Sequence, residues 1–546
     1  MRALILTYIL VCVTLTSCTP NHEKMLEGKY EPTWESLAQY GQAPDWFRNV
    51  KFGIWAHWGP QCQPGQGDWY ARGMYDEGSL QYKWHVENYG HPSEFGFKDV
   101  INTWKAEKWD PEKLMALYKR AGAQYFFTLG NHHDNFDLWD SKYHKWNSVN
   151  MGPKQDIVGK WEKAARTQGM YFGVSIHSAH AWTWYETAQR SDKEGPMKGI
   201  PYDGKLTQAN GKGKWWEGYD PQELYVQSHP LSDGSEKTNR IHSQWAWKNR
   251  ASVPTEEYFQ NFFDRNVDMI NKYNPDMIYY DDTTMPLWPV SDVGLRTVAH
   301  FYNKSLKENK GKNEVVVFAK VLTDDQKECL VWDVERGVPD QIQEKPWQTC
   351  TCLGHWHYHK PTYDNNAYKS AKTVIHMLTE IISKNGNMLL SVPMRGDGTI
   401  DDKEEAILNG IADWMDKNKE GVFDTRPWTV FGEGPVAESP NPLTVQGFNE
   451  GKNKPYTAED IRFVTKGDVL YAHVMAWPEN DKVIIKSLAA GNPLYPQSIR
   501  DVSLLGTDAK VSFKRTAEGL IINLPSEVKP NEISFVLKIK ESMSLL

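Results

Sequence analysis

Short apolar runs rich in β-branched and aromatic residues recur along most of the chain, each followed by a segment of helical period. They lie at Phe52–Trp58, Tyr125–Leu129, Tyr171–Ile176, Met277–Tyr280, Val315–Val321 and Met388–Val392. Between them, Tyr258, Phe259, Phe262, Phe263, Val267 and Ile270 share one face at 3.6 residues per turn. Pro111–Ala123, Asp156–Gln168, Leu295–Lys307 and Lys369–Lys384 read the same way. Strands alternating with helices at this spacing imply parallel pairing, either in an open sheet or in a barrel. No Gly-x-Gly-x-x-Gly follows a strand and no phosphate-loop motif occurs, so the nucleotide-binding open sheets lose support. The expected fold is therefore α/β, a TIM-like (β/α) barrel over residues 30–424, with its chemistry just past the C-terminal ends of the strands.

Asp402 to Met415 reads as the last helix, with Asp402 and Glu405 as its N-terminal capping box. Beyond Thr425 the period changes to short alternating runs among dense Pro and Gly, which predicts an all-β sandwich over 425–546. The stretch from Arg190 to Arg250 shows neither period, yet carries Trp215, Trp216, Trp245 and Trp247. A disordered linker rarely holds four Trp, so a long barrel loop over the site is expected near 190–250.

The N-terminus reads as an address. Arg2 precedes an apolar run from Ala3 to Leu15, too short to span a bilayer. Leu15-Thr16-Ser17-Cys18 then resembles a lipobox. Residues 1–18 are accordingly expected to be a lipoprotein signal, with the mature protein exported and held in the periplasm or outer membrane by a lipid on Cys18. Four Cys remain after it, too few for a disulfide scaffold, and Cys350-Thr351-Cys352 lacks zinc-site spacing. A formal charge of −8 without a basic stripe excludes a phosphate-tracking nucleic-acid binder. Trp outnumbers Phe, 24 to 19, which fits flat platforms for sugar rings as well as it fits a bulky core.

Polar residues gather directly after the predicted strands: His57-Trp58-Gly59 with Gly67-Asp68-Trp69-Tyr70, His132-His133-Asp134, His177 with His180, and Tyr280-Asp281-Asp282. Barrel geometry brings strand ends to one pocket. His177 and His180 are three apart in a strand-to-loop region rather than paired on a helix, so a catalytic metal is not expected and no cofactor is called for. His and Trp around one carboxylate suit a polyol ring, with Asp281 placed to attack an anomeric carbon.

These segments resemble the α-L-fucosidases of glycoside hydrolase family 29. The resemblance rests on Trp46-Phe47-Arg48 through His57-Trp58-Gly59, on Gly67-Asp68-Trp69-Tyr70, and on His132-His133-Asp134 through Trp146-Asn147-Ser148. It continues in Tyr280-Asp281, Glu335-Arg336, Pro346-Trp347, Asn387-Met388-Leu389-Leu390 and Gly396-Asp397-Gly398. It implies a barrel followed by a β-sandwich, and an exo-acting, retaining hydrolysis of terminal α-L-fucosyl residues on a glycan or oligosaccharide. Asp281 would be the nucleophile, and His57, Asp68, Trp69, His132, His133 and Arg336 would bind the sugar, joined by His177 from its place at a strand end. One position departs from the pattern. Where the family shows Glu after Pro-Trp as the acid/base, this chain has Gln348, and an amide delivers no proton. Either another carboxylate serves, with Glu335 first and Asp68 next, or the substrate needs no acid, or the chain binds sugar without cleaving it. A related sugar such as an α-L-galactoside also stays open.

Overall fold

The computed structural model describes residues 22–235, 247, 251–439, 441–443, 448–452 and 454–541. The expected signal segment with Cys18, and Trp245 of the long loop, lie outside them. Among the described residues no helix is long and apolar enough to cross a membrane.

Eight parallel strands close into a barrel in sequence order: β1 (Phe52–Ala56), β2 (Tyr125–Asn131), β3 (Tyr171–Ile176), β4 (Met277–Tyr280), β5 (Val316–Ala319), β6 (Val331–Glu335), β7 (Trp347–Cys352) and β8 (Gly386–Ser391). Closure comes from β1 pairing both β2 and β8, with Ile54 opposite Phe126 on one side and Leu390 on the other. The strands are covered on both faces, which is why they read as continuous apolar runs rather than alternating ones. The helices that cover them carry the expected caps. Helix Glu256–Tyr273 starts where the Thr255 side chain accepts the Tyr258 N–H, with Glu256 and Glu257 in its first turn. Helix Asp402–Asn418 begins at the residue the sequence reading gave, but its reciprocal capping pair is Asp401 with Glu404, one residue earlier than the expected Asp402 and Glu405.

β6 and β7 were not foreseen, and the interior explains why. Gln348 on β7 is fully buried inside the barrel, where its amide donates to Asp333 Oδ2 at 2.9 Å and accepts from the Tyr125 hydroxyl at 3.0 Å. The Cys350 thiol donates to Asp333 Oδ1 at 3.1 Å, and the Tyr279 hydroxyl donates to the same oxygen at 3.2 Å. Burial pushes the Asp333 carboxyl up to about 6. A polar column of this kind interrupts the apolar signal that marks the other six strands.

After the barrel, β9 (Arg426–Glu433), β10 (Ile461–Lys466), β11 (Val469–Val474), β13 (Ile499–Leu504) and β16 (Phe535–Glu541) form one antiparallel sheet in the order β13-β16-β11-β10-β9. A smaller sheet holds β12 (Lys482–Ile485), β15 (Leu520–Asn523) and β14 (Ser512–Arg515). Ile461, Phe463, Leu470, Leu520, Ile522 and Leu537 fill the core between the sheets. Val464, Tyr471 and Val536 turn the other way and join the barrel's own core.

Candidate active site

Six side chains reach one cavity by the same device. His57, His132, His177, Asp281 and Lys320 are each the first residue past β1, β2, β3, β4 and β5, and Glu335 is the last residue of β6. With Asp68, Trp69, Arg336, Trp55, Tyr279 and Trp356 they line an open cavity of about 280 Å³ at the C-terminal mouth. Of the catalytic and sugar-binding residues expected from the sequence, His133 stands off the wall, directly behind Asp281, and the strand-end residues Asp134 and His180 do not line the cavity either. Trp69 and Arg336 hold left-handed backbone, φ 61° and 49°, a conformation costing a non-glycine residue about 1–3 kcal/mol and typical of positions where a side chain is aimed.

Asp281 is engaged by three basic side chains. Its Oδ2 lies 3.1 Å from both His133 Nε2 and His177 Nδ1, while Oδ1 accepts a hydrogen bond from Lys320 Nζ. Burial alone would raise its pKa, but the Lys320 ammonium and the two imidazoles outweigh that and hold it well below the ordinary carboxylate value. Lys320 also donates to Glu335 Oε2 at 2.6 Å. Burial would lower the lysine's own pKa, but the two carboxylates push it well above its usual range. Asp281 and Glu335 are therefore one ammonium apart, and two hydrogen bonds of ordinary length end to end span no more than about 6 Å. His133 donates from Nδ1 to the His177 carbonyl at 2.8 Å. Burial lowers its pKa, while its two acceptors pull the other way because only the doubly protonated ring donates to both.

His57, His132 and His177 are neutral. Burial, then their neighbours' charge, lowers His57 and His132 well below the usual value, and burial brings His177 down to about 4. Across the cavity, Asp68 accepts the His357 backbone N–H at 2.7 Å and lies 3.4 Å from His355 Nδ1. Arg336 turns toward Glu450 at 3.6 Å.

His57, His132 and His177 each bring a ring nitrogen within 4.8 Å of the others, a set that zinc accepts, and His133, His177 and Asp281 form a second such group. Gln61 decides against the first. Its Oε1 accepts the Ala71 N–H at 3.3 Å, which fixes the amide so that Nε2 donates to His132 Nδ1 at 2.9 Å. The neutral His132 ring then carries its proton on Nε2, making that nitrogen a donor to an oxygen rather than a metal ligand. The second group is already joined to Lys320 through Asp281. Both sets fit a hydroxylated ligand better than a metal ion.

Two expectations need correction. Gln348 does not occupy an acid/base seat: it lies four residues before the end of β7, inside the barrel, and lines no part of the cavity. Nor do the described Trp rings of the long loop, Trp215, Trp216 and Trp247, lie over the mouth. Trp215 donates to Asp99 Oδ1 at 2.7 Å, Trp216 is buried with the Lys98 and Lys214 ammoniums over its ring, and Trp247 stacks on His180 at 5.1 Å. The loop is pinned instead through buried Asp203, which accepts from Lys98, Tyr75 and Tyr225. None of its described residues lines the cavity. Lys320, Trp55, Tyr279 and Trp356 went unnoticed in the sequence. A charged residue closing an apolar run, as Lys320 does in Val315–Val321, was the available signal for the first.

A sequence model of the family described as alpha-L-fucosidase matches residues 17–420, and one of the alpha-L-fucosidase C-terminal domain matches residues 453–540. The chain is 25% identical to the tissue alpha-L-fucosidase of Mus musculus over 531 residues, 94% of each chain. To the alpha-L-fucosidase of Dictyostelium discoideum it is 21% identical, covering 96% of each. Among solved structures, the Thermotoga maritima alpha-fucosidase in complex with fucose superposes with a TM-score of 0.65 at 24% identity, over 93% of this chain and 99% of that one. A Bacteroides thetaiotaomicron alpha-L-fucosidase of family GH29 does so with a TM-score of 0.58 at 17% identity, over 95% and 98%. At these identities the structural likeness speaks for the fold alone, but the sequence models cover both halves of the molecule. The chain belongs to the α-L-fucosidase family of glycoside hydrolases.

Proposed function

We propose that this protein removes terminal α-L-fucosyl residues from glycans by a retaining double displacement, with Asp281 as nucleophile and Glu335 as acid/base. The observation that carries the reading is the pair of carboxylates past β4 and on β6, held one ammonium apart. Retaining glycosidases keep their two carboxyl groups about 5–5.5 Å apart, whereas inverting ones leave a wider gap for water. Asp281 is ionised, so it can attack the anomeric carbon while Glu335 protonates the departing oxygen. Glu335 then takes a proton from the water that opens the glycosyl ester, returning both groups to their starting forms. Neutral His57 and His132 donate and accept as sugar hydroxyls require, and Trp55, Trp69 and Trp356 offer apolar faces. Gln348, being remote from the cavity, gives no reason to withhold turnover. The apolar run before Cys18 supports export, so the substrate would be an extracytoplasmic glycan met by a lipid-tethered enzyme.

The test is a mechanism-based label. The parent should cleave an aryl α-L-fucoside, and a 2-fluorofucosyl fluoride should leave a fluorofucosyl ester on the peptide containing Asp281. A label on another residue, or turnover with inverted configuration, overturns the assignment.

A further inference from the structure

Lys320 stands in the interval the proposed reaction needs clear. It is the first residue past β5, with its side chain 11% exposed, and its Nζ donates to Asp281 and to Glu335 together. In a retaining glycosidase the anomeric carbon lies between the two carboxyl groups, carrying positive charge as the bond breaks. An ammonium bonded to both groups sits where that charge develops. Glu335 as an acid must also carry a proton, and a protonated carboxyl offers Lys320 no ion pair. The contact has to open before the first chemical step. A lysine has the means to open it, since four methylenes and three rotatable donors let the charge move without the backbone.

Building on the retaining reading, we propose that Lys320 is a displaceable counter-ion: it fills the anomeric position of the empty pocket, balances Asp281 and Glu335 there, and is pushed aside by the incoming sugar ring. It positions the two carboxyl groups and takes no part in bond making. The groups around it agree with this role. His133 and His177 face Asp281 from β2 and β3, so the nucleophile keeps two partners when the ammonium leaves. Tyr279 lies under the ammonium at 6.0 Å, a ring face over which a moving cation is welcome. Asp333 and Cys350 lie below it inside the barrel, and Arg336 beside Glu335 is turned to Glu450, so it does not take the lysine's place in the gap.

A resident cation makes a specific demand on ligands. A fuco-configured iminosugar, positively charged near the anomeric centre, competes for the same position, and a neutral fuconolactone of the same ring size does not carry that charge. Lys320→Met should therefore bind the iminosugar at least about tenfold more tightly relative to the lactone than the parent does, because both carboxylates then lack a cation. Lys320→Arg should keep the parent's ratio. Equal changes for both ligands, or a loss confined to the iminosugar, would overturn the proposal. A crystal structure of the parent with the iminosugar needs no variant to fold. Nζ out of hydrogen-bond reach of Glu335 is expected, and Nζ still bridging both carboxylates refutes displacement. An enzyme that cleaves fucosides with an unmoved ratio keeps the function and loses the counter-ion. A protein that cleaves none yet shows the shifted ratio does the reverse, and one that binds neither ligand loses both.

Discussion

Two carboxylates in this molecule are each held by basic partners, and they differ in depth: Glu380 is buried together with both of its basic partners, whereas Asp281 keeps part of its side chain exposed at the barrel mouth. Glu380, in the helix Ala371–Ile382, accepts Arg462 Nε at 2.5 Å and pairs with Lys384 Nζ at 2.6 Å, with the Tyr456 hydroxyl donating at 3.1 Å. Arg462 comes from β10, so this cluster ties the barrel to the C-terminal sheets from both sides of their junction. Asp281 has a comparable set in Lys320, His133 and His177, but its ammonium is shared with a second carboxylate, and both anion and ammonium stay partly exposed. The same ionic chemistry thus acts as a permanent joint where every charge is buried, and as a removable one where the charges are partly exposed. Burial makes the difference, because breaking a buried pair strands a desolvated charge, whereas at the barrel mouth a ligand or water replaces the lost partner.

Removing the anion from each cluster should separate the two roles completely. Asp281→Ala is expected to lower kcat on the order of a thousandfold or more, about 4 kcal/mol in barrier, with little change in Tm. Glu380→Gln should leave kcat nearly untouched and lower unfolding stability by about 3–5 kcal/mol. Urea unfolding beside steady-state kinetics on both variants checks the pair, and a Glu380→Gln protein with parental stability would erase the contrast.

Acid titration sharpens it. Burial opposes ionisation of Glu380, yet Arg462 and Lys384 bring it from an ordinary 4.5 down to about 2. Its folded-state pKa is depressed, so its stabilising contribution is full above pH 4.5 and fades as pH falls toward 2. The parent should lose about 3 kcal/mol over that window through this one group. Glu380→Gln should show a correspondingly shallower slope when ΔG is measured by denaturant at several pH values. The smallest of these effects belongs to the acid/base. Glu335→Gln should cost about a hundredfold on an unactivated fucoside, and far less on a dinitrophenyl fucoside whose leaving group needs no proton. Equal losses on both substrates would remove Glu335 from that role.

What the sequence disclosed follows from which signals a barrel leaves in a chain. Strands buried on both faces leave apolar runs, so six of the eight were legible, together with the polar residues that end them. β6 and β7 were hidden because Asp333, Gln348 and Cys350 point inward and bond one another, so that interior positions look like surface ones. The same blindness misled the reading of Gln348. Its place after Pro346-Trp347 suggested a seat at the pocket, but register decides depth, and opposite Asp333 and Asn387 it lies near the start of its strand. Lys320 escaped notice for a related reason. In sequence, a lysine closing an apolar run looks solvated, and only closure of the barrel puts two carboxylates beside it. Trp215, Trp216 and Trp247 of the long loop make specific contacts, but composition carries no information about which face they cover.

The strand that bears Glu335 has a neighbour from outside the barrel. Phe448 and Glu450 donate their backbone N–H groups to the carbonyls of Glu335 and Arg336, at 3.2 and 3.0 Å, and Phe448 lines the cavity. These residues lie between β9 and β10, well beyond the point where the barrel's last helix ends. The tempting dissection of this protein at that helix would therefore not yield a minimal enzyme. It would cut away a piece of the pocket's rim, and an ancestor that acquired its β-sheets as a separate module would have gained part of its binding wall with them.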